Sequence, residues 1–242
     1  KKENPFLSLI FNIVIPVVVL KNGVKWIQKY QVDDLVGPLV NDSQISSAVF
    51  AIALFFPFFY FFFDFFKRKN INFISILGFV NILLTGGIGI FGERYGLSRN
   101  WFIFKEGSLP LVIGSLLFFM RKYKMKSFHS FLLNDAVFDT EIIESAINRE
   151  KQESYNAIIN RTGNYLIAGF IISSIIQFIL SSLIVVANPG EIGFNEQVST
   201  MTWVSYFAVM VPTILIVGKG FISMIADLEK MTSLNKEEFL RN

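Results

Sequence analysis

Six apolar runs, separated by shorter polar segments, organise this chain. They cover Phe6–Leu20, Ile45–Phe66, Ile71–Gly92, Trp101–Met120, Asn164–Ala187 and Ser199–Ala226. Most of them approach or exceed the roughly 20 residues that a helix needs to cross a bilayer. None shows the alternation over about 10 residues that is typical of a membrane β-strand. The pattern predicts an all-α fold, a polytopic transmembrane helix bundle of about six spans, in a single domain over residues 1–242.

Composition supports a membrane protein and removes most catalytic chemistry. Hydrophobic residues make up 52% of the chain and charged residues 17%, whereas soluble domains carry about 25% charged residues. Cysteine is absent and His129 is the only histidine. These facts exclude disulfides, thiol nucleophiles, multi-histidine metal sites and a Ser-His dyad inside the membrane. No carboxylate pair or nucleophile elbow is present either, so we expect no enzyme, no catalytic residue, no metal and no cofactor.

The distribution of lysine and arginine predicts the orientation. Placing both termini in the cytoplasm puts most of the 22 basic residues on the inner side, as the positive-inside rule requires. The same orientation places Trp26, Trp101 and Trp203 at the outer interface, where aromatic belts form. The net charge of +3 is therefore a topology signal, and we expect lipid but no nucleic acid as a partner.

The first span is short and is followed by a weakly amphipathic segment. No small-residue cleavage site follows Leu20, so we expect an uncleaved first span. In residues 24–36 apolar side chains alternate with charged ones. This segment is predicted to continue the span as an interfacial or re-entrant piece.

The one long polar segment is the predicted cytoplasmic loop 121–163. It opens with the basic cluster Arg121–Lys126, which either attracts anionic lipid or only fixes topology. Apolar residues recur at helical spacing in 139–147, and Asp139 is placed to cap that helix. We expect an amphipathic helix against the bundle or the membrane, serving as a structural linker or as a docking surface for a partner.

Ionisable residues inside the spans are the candidate functional residues, because charge in a bilayer is costly. Lys105 and Glu106 lie one turn inside span four, close to Pro110. Adjacent helical residues point about 100° apart, so each is expected to need a partner on a neighbouring helix rather than the other. Asp64 is expected to pair with Lys67 or Arg68, and Lys219 to extend to the inner surface. Most of the neutral polar residues in the spans are expected to form interhelical hydrogen bonds; they are Asn12, Asn81, Thr85, Asn164, Ser173, Ser174 and Gln177.

Several short landmarks follow one another in a distinctive order. The first span carries Ile15-Pro16 and ends at Lys21, the third ends in Gly86-Gly87, and the fourth opens with Phe102-Ile103-Phe104-Lys105. Asn164 and Gln177 mark the fifth span, and Trp203-Val204-Ser205-Tyr206 opens the last. In this order the chain resembles the bacterial intracellular septation protein A-like family of small inner-membrane proteins. Glu106, Gln177, Ser205 and the longer loop depart from the family pattern, which indicates a divergent branch.

The resemblance implies a multi-pass protein of the bacterial inner membrane, without assigned catalysis, linked to cell division and envelope maintenance. Such a protein would act through other envelope or division membrane proteins, and a homo-oligomer is left open. The alternative is a small transporter or channel for an ion or solute that uses Lys105 and Glu106. Prolines at Pro16, Pro57, Pro110 and Pro212 support that alternative, because interrupted helices often build transport sites.

Overall fold

The protein is mainly helical over the described residues of a computed structural model, which are 7, 9–30, 42–68, 73–134 and 137–241. Their only extended pairing is an isolated antiparallel bridge between Phe138 and Leu240. A π-helical turn at Ile10–Val14 leads into the first α-helix. The α-helices are α1 (Ile15–Tyr30), α2 (Asp42–Arg68), α3 (Phe73–Phe91), α4 (Arg99–Lys122), α5 (Lys126–Leu132), α6 (Thr140–Ser145), α7 (Gln152–Ile184), α8 (Ile192–Thr232) and α9 (Lys236–Phe239). The predicted all-α class is confirmed.

Each predicted span coincides with a long helix. Five helical stretches are long and apolar enough to cross a membrane: Ile10–Lys29, Gln44–Phe63, Arg99–Lys122, Gln152–Ile184 and Gly193–Thr232. Helix α3 adds a shorter apolar stretch at Phe79–Phe91. The described residues therefore form a multi-pass membrane protein by the length and composition of their helices. The predicted orientation, with both termini in the cytoplasm, stays a prediction.

Helix α1 is longer than the first predicted span. It continues past Leu20 to Tyr30, so residues 24–30 extend the same helix, and residues 31–36 lie outside the described part. Leu20, Gly23 and Ile27 follow one another at helical spacing and are buried, while the lysines between them are exposed. Ile27 packs in a cluster with residues of α2. The lysines lower the mean hydropathy of the segment. The span predicted from the apolar run therefore ends at Leu20, before the helix does.

Helices α7 and α8 also outrun their predicted spans. Helix α7 begins at Gln152 rather than Asn164, and α8 covers Ile192–Thr232 rather than Ser199–Ala226. In these extensions Tyr155, Ile159 and Leu228 are buried in one cluster with residues of the polar segment. Protein packing replaces lipid there, so the helices persist although their sequences are too polar for a bilayer.

The chain folds into two compact units. The first comprises Lys1–Ser108 and Ile176–Ala208, and the second comprises Leu109–Ile175 and Val209–Asn242. Each unit has its own apolar core, around Phe50, Phe102 and Phe194 in the first and around Phe128, Ile143 and Met224 in the second. Helices α4, α7 and α8 contribute residues to both units, and the single domain over 1–242 stays a prediction.

Candidate functional site: a buried lysine cluster

Lys105 is buried in the first unit and is fully bonded. Its side chain is 5% exposed. The Nζ atom donates to Asn81 Oδ1 at 2.9 Å, to Thr85 Oγ1 at 2.7 Å and to Glu106 Oε1 at 2.5 Å. The ammonium also lies 5.0 Å from the centre of the Phe102 ring. Because a lysine ammonium has three N–H donors, the protein itself satisfies all of them.

The two neutral acceptors lie on the same face of α3 because of their spacing in the sequence. Asn81 and Thr85 are four residues apart, so they are neighbours on the helix surface. Thr85 Oγ1 donates its own proton to the carbonyl oxygen of Asn81 at 2.8 Å, which leaves its lone pairs for Lys105. The expectation that Asn81 and Thr85 form interhelical hydrogen bonds is confirmed.

The expectation that Lys105 and Glu106 would not pair with each other is wrong. Their backbone directions diverge, but the four-carbon stem of the lysine and the flexible glutamate bring Nζ and Oε1 together. The other half of the prediction is confirmed for Lys105, which finds two partners on the neighbouring helix. Glu106 is 19% exposed, and its charge is balanced within the cluster.

The glycines of α3 and α4 set how closely other helices approach. An added Cβ at Gly86 would lie 2.7 Å from Leu54 Cδ1, and one at Gly89 would lie 2.5 Å from Phe50 ring atoms. An added Cβ at Gly87 would meet no described atom of another segment within 4 Å, so within the described residues only the first glycine of the Gly86-Gly87 pair marks a close approach. On α4, Gly107 lies directly against the Phe178 ring. Helix α4 runs through Pro110 without a break.

The other predicted polar residues lie apart from this cluster or outside the description. Lys219 is exposed on α8 in the second unit, and its extension toward the inner surface stays a prediction. Asp64 is on α2, but its side chain and those of Lys67 and Arg68 lie outside the described residues, so their predicted pairing is untested. Pro16 is the second residue of α1 and follows directly on the π-helical turn Ile10–Val14.

The polar and aromatic residues that the sequence analysis named in the last two spans have structural contacts. Ser205 Oγ donates to Gln177 Oε1 at 3.1 Å, which joins α7 and α8. Trp203 is exposed and packs edge-on against Phe207. Ser173 and Thr213 form a further hydroxyl pair at 2.8 Å in the second unit. The predicted interhelical role of Gln177 and Ser173 is confirmed.

A polar layer in the second unit was only partly visible in the sequence. Arg121 at the end of α4 donates to the side chain of Asn164 on α7. Arg161, one turn away on α7, forms an ion pair with Asp227 on α8. Three independently predicted span ends, at residues 120, 164 and 226, therefore meet in one layer. Sequence analysis named Asn164 as a hydrogen-bonding residue and Arg121 only as part of the basic cluster, and it did not name Arg161 or Asp227.

The polar segment beyond this layer folds into what we term the helical cap, formed by α5, α6 and α9. The side chain of Asp139 accepts from the Ile142 N–H at 3.3 Å, so the predicted N-cap is confirmed. The Asp139 N–H donates to the Phe239 carbonyl at 2.8 Å, and its carboxylate lies 3.4 Å from Arg241 Nη2. Phe138, Ile143 and Phe239 are buried beneath these bonds. The predicted amphipathic helix thus packs against the second unit's own helices.

A loop at the other end of the spans is also held by side chains. Arg99 donates to the Val185 carbonyl at 3.1 Å. Glu191 accepts from the Asn188 N–H at 2.8 Å and from its Nδ2 at 2.9 Å. These bonds, the side-chain one first, hold the pKa of Glu191 below its usual range.

The arrangement around Lys105 is suited to joining two helices rather than to reacting with a substrate. Lys105 and Glu106 form an ion pair without net charge, and all N–H donors of the lysine are bonded. The cluster therefore holds α3 to α4 and offers no free nucleophile or acid. Among the described residues, no group of three His, Asp or Glu side chains could hold a metal ion. Neither a family model, nor a curated protein, nor a solved structure matches the chain.

Proposed function

We propose that this chain is a non-catalytic protein of the bacterial inner membrane that binds other envelope proteins, in support of cell division and envelope maintenance. The observation that carries the proposal is the helical cap. It is a folded, hydrogen-bonded platform built on the ends of the spans. The septation-like landmarks in the sequence supply the link to division.

The cap carries an apolar surface that the cap's own core leaves uncovered. Val137 is 48% exposed and Ile142 is 38% exposed. Both lie next to the bonds that fix Asp139. Single exposed aliphatic side chains are common on protein surfaces, so these two positions serve to probe the cap for a partner.

All three N–H donors of Lys105 are already bonded within the protein, which argues against an open transport site. A substrate or ion at Lys105 would have to displace Asn81, Thr85 or Glu106 from the ammonium. Transport of an ion or solute remains the second candidate, because a charged pair inside an apolar span is costly and often functional. Loss of flux in liposomes for a folded Glu106→Gln protein would favour this second candidate.

Point variants on the cap test the first proposal without unfolding it. Ile142→Glu and Val137→Glu change exposed positions, whereas deletion of the segment would remove the buried Phe138 and Ile143. The matched control is Glu150→Lys, an exposed change in the same polar segment. We expect co-purification of envelope proteins from native membranes to fall for the two cap variants and to persist for the control. Equal recovery with all three proteins would contradict the proposal.

A further inference from the structure

The end of α4 lies where lipid headgroups are expected. Helix α4 ends at Lys122, next to the layer in which Arg121 bonds Asn164. The apolar span stops at this layer, so residues just beyond it are at the depth of the headgroups. Lys122 and Lys124 are both exposed there.

Lys124 occupies a backbone position that favours glycine. Its φ is +50°, in the left-handed region. The Met125 N–H bonds the Met120 carbonyl at 2.9 Å, and the Lys124 N–H bonds the Arg121 carbonyl at 3.0 Å. This closure of a helix end is the one in which glycine is usual. A lysine at this position is under backbone strain that a glycine would avoid, and its side chain places a cation at the surface.

An exposed apolar stripe leads along α4 to these cations. Val112, Leu116, Phe119 and Tyr123 follow one another at spacings of three or four residues, and all are exposed. Tyr123 is 68% exposed and stacks on Phe119 with ring centres 6.4 Å apart. Acyl chains can lie along such a stripe while the headgroup meets the polar end.

We propose that Lys122 and Lys124 bind the phosphate of an anionic phospholipid whose acyl chains lie along the stripe that ends at Tyr123. Arg121 is a positioning residue, because Asn164 and the Phe118 ring, 5.5 Å away, already hold its guanidinium. The occupant is chosen by charge complementarity, since two cations meet the headgroup layer at the end of a lipid-facing stripe. The site is independent of the envelope-protein interaction proposed above.

A purely topological role for the two lysines gives a different expectation. Cations also stabilise a helix C-terminus and fix orientation, but both effects are indifferent to which lipid surrounds the protein. A binding site instead retains anionic lipid selectively. The ratio of bound phosphatidylglycerol to bound phosphatidylethanolamine therefore separates the two roles.

The test is native mass spectrometry of the full chain released from nanodiscs that contain both lipids. The lysine variant is Lys122→Gln with Lys124→Gln, and the matched control is Lys230→Gln with Lys236→Gln, two exposed lysines of the same unit. Each lysine contributes about fivefold, so the double variant should lose about 25-fold of the selectivity for phosphatidylglycerol. The control should keep it.

A third protein, Lys124→Gly, separates binding from folding. It removes one cation and relieves the left-handed strain, so it should lose about fivefold in selectivity while melting at a temperature no lower than the wild type. Equal phosphatidylglycerol retention in the lysine variant and the control would overturn the proposal. Displacement of the lipid by inorganic phosphate at millimolar concentration would also overturn it, since the site would then recognise a soluble anion.

Discussion

Replacing Lys105 with methionine removes the cation at the centre of the buried cluster. Methionine keeps the length and apolar character of the stem, so packing against Phe102 is largely retained. The carboxylate of Glu106 then loses its only described counter-ion, and Asn81 Oδ1 and Thr85 Oγ1 lose their donor. The change therefore tests electrostatics more than shape.

The size of the effect follows from breaking a buried ion pair on one side. Such a change costs about 3–5 kcal/mol when the remaining charge stays buried. Glu106 is 19% exposed and gains some hydration, which places the expected loss near the lower end, at about 3 kcal/mol. Removing both charges, with Lys105→Met and Glu106→Leu together, should cost much less, because a pair replaced by apolar residues is often neutral.

Unfolding in mixed micelles, followed by tryptophan fluorescence, measures both free energies. We expect Lys105→Met to lose about 3 kcal/mol and the double variant to recover most of that loss. If the double variant is at least as destabilised as the single one, the pair is not the source of the effect. If Lys105→Met unfolds at the same denaturant concentration as wild type, the cluster does not hold α3 to α4.

Two further predictions concern a helix contact and a loop. Gly89→Ala places a methyl group 2.5 Å from the Phe50 ring and should cost about 1–3 kcal/mol. Gly87→Ala, whose added methyl group meets no described atom of another segment within 4 Å, is its control and should be neutral or slightly stabilising in the same unfolding assay. The lowered pKa of Glu191 means that its bonds to Asn188 stabilise the fold above the usual glutamate pKa, and this contribution disappears as the pH falls through the lowered value. Melting temperatures measured down the acid range should therefore fall less for Glu191→Gln than for wild type, and parallel curves would contradict this assignment.

Hydropathy predicted the spans well because a helix that crosses a bilayer is apolar over a long continuous stretch. It failed where protein replaces lipid. Residues 24–30 carry lysines on one face and bury Ile27 on the other, and the start of α7 buries Tyr155 and Ile159 against the polar segment. An average over a window cannot separate such amphipathic extensions from loops, since the deciding information is which face is covered.

The candidate site could be predicted residue by residue but not as an assembly. The cost of charge in a bilayer singled out Lys105 and Glu106, and polar character singled out Asn81 and Thr85. Nothing in the sequence says that α3 faces α4 at that level, or that two adjacent side chains will fold back on each other. The same holds for Arg121 and Asn164, which are 43 residues apart and meet only through packing.

Site-specific photo-cross-linking in native membranes tests the interaction role most directly. A photoreactive phenylalanine at Ile142 would lie on the exposed face of the helical cap, and the same residue at Glu150 serves as the exposed control. The account predicts that position 142 captures defined envelope or division proteins and that position 150 does not. Capture of lipid alone at position 142, or identical products at both positions, would contradict it.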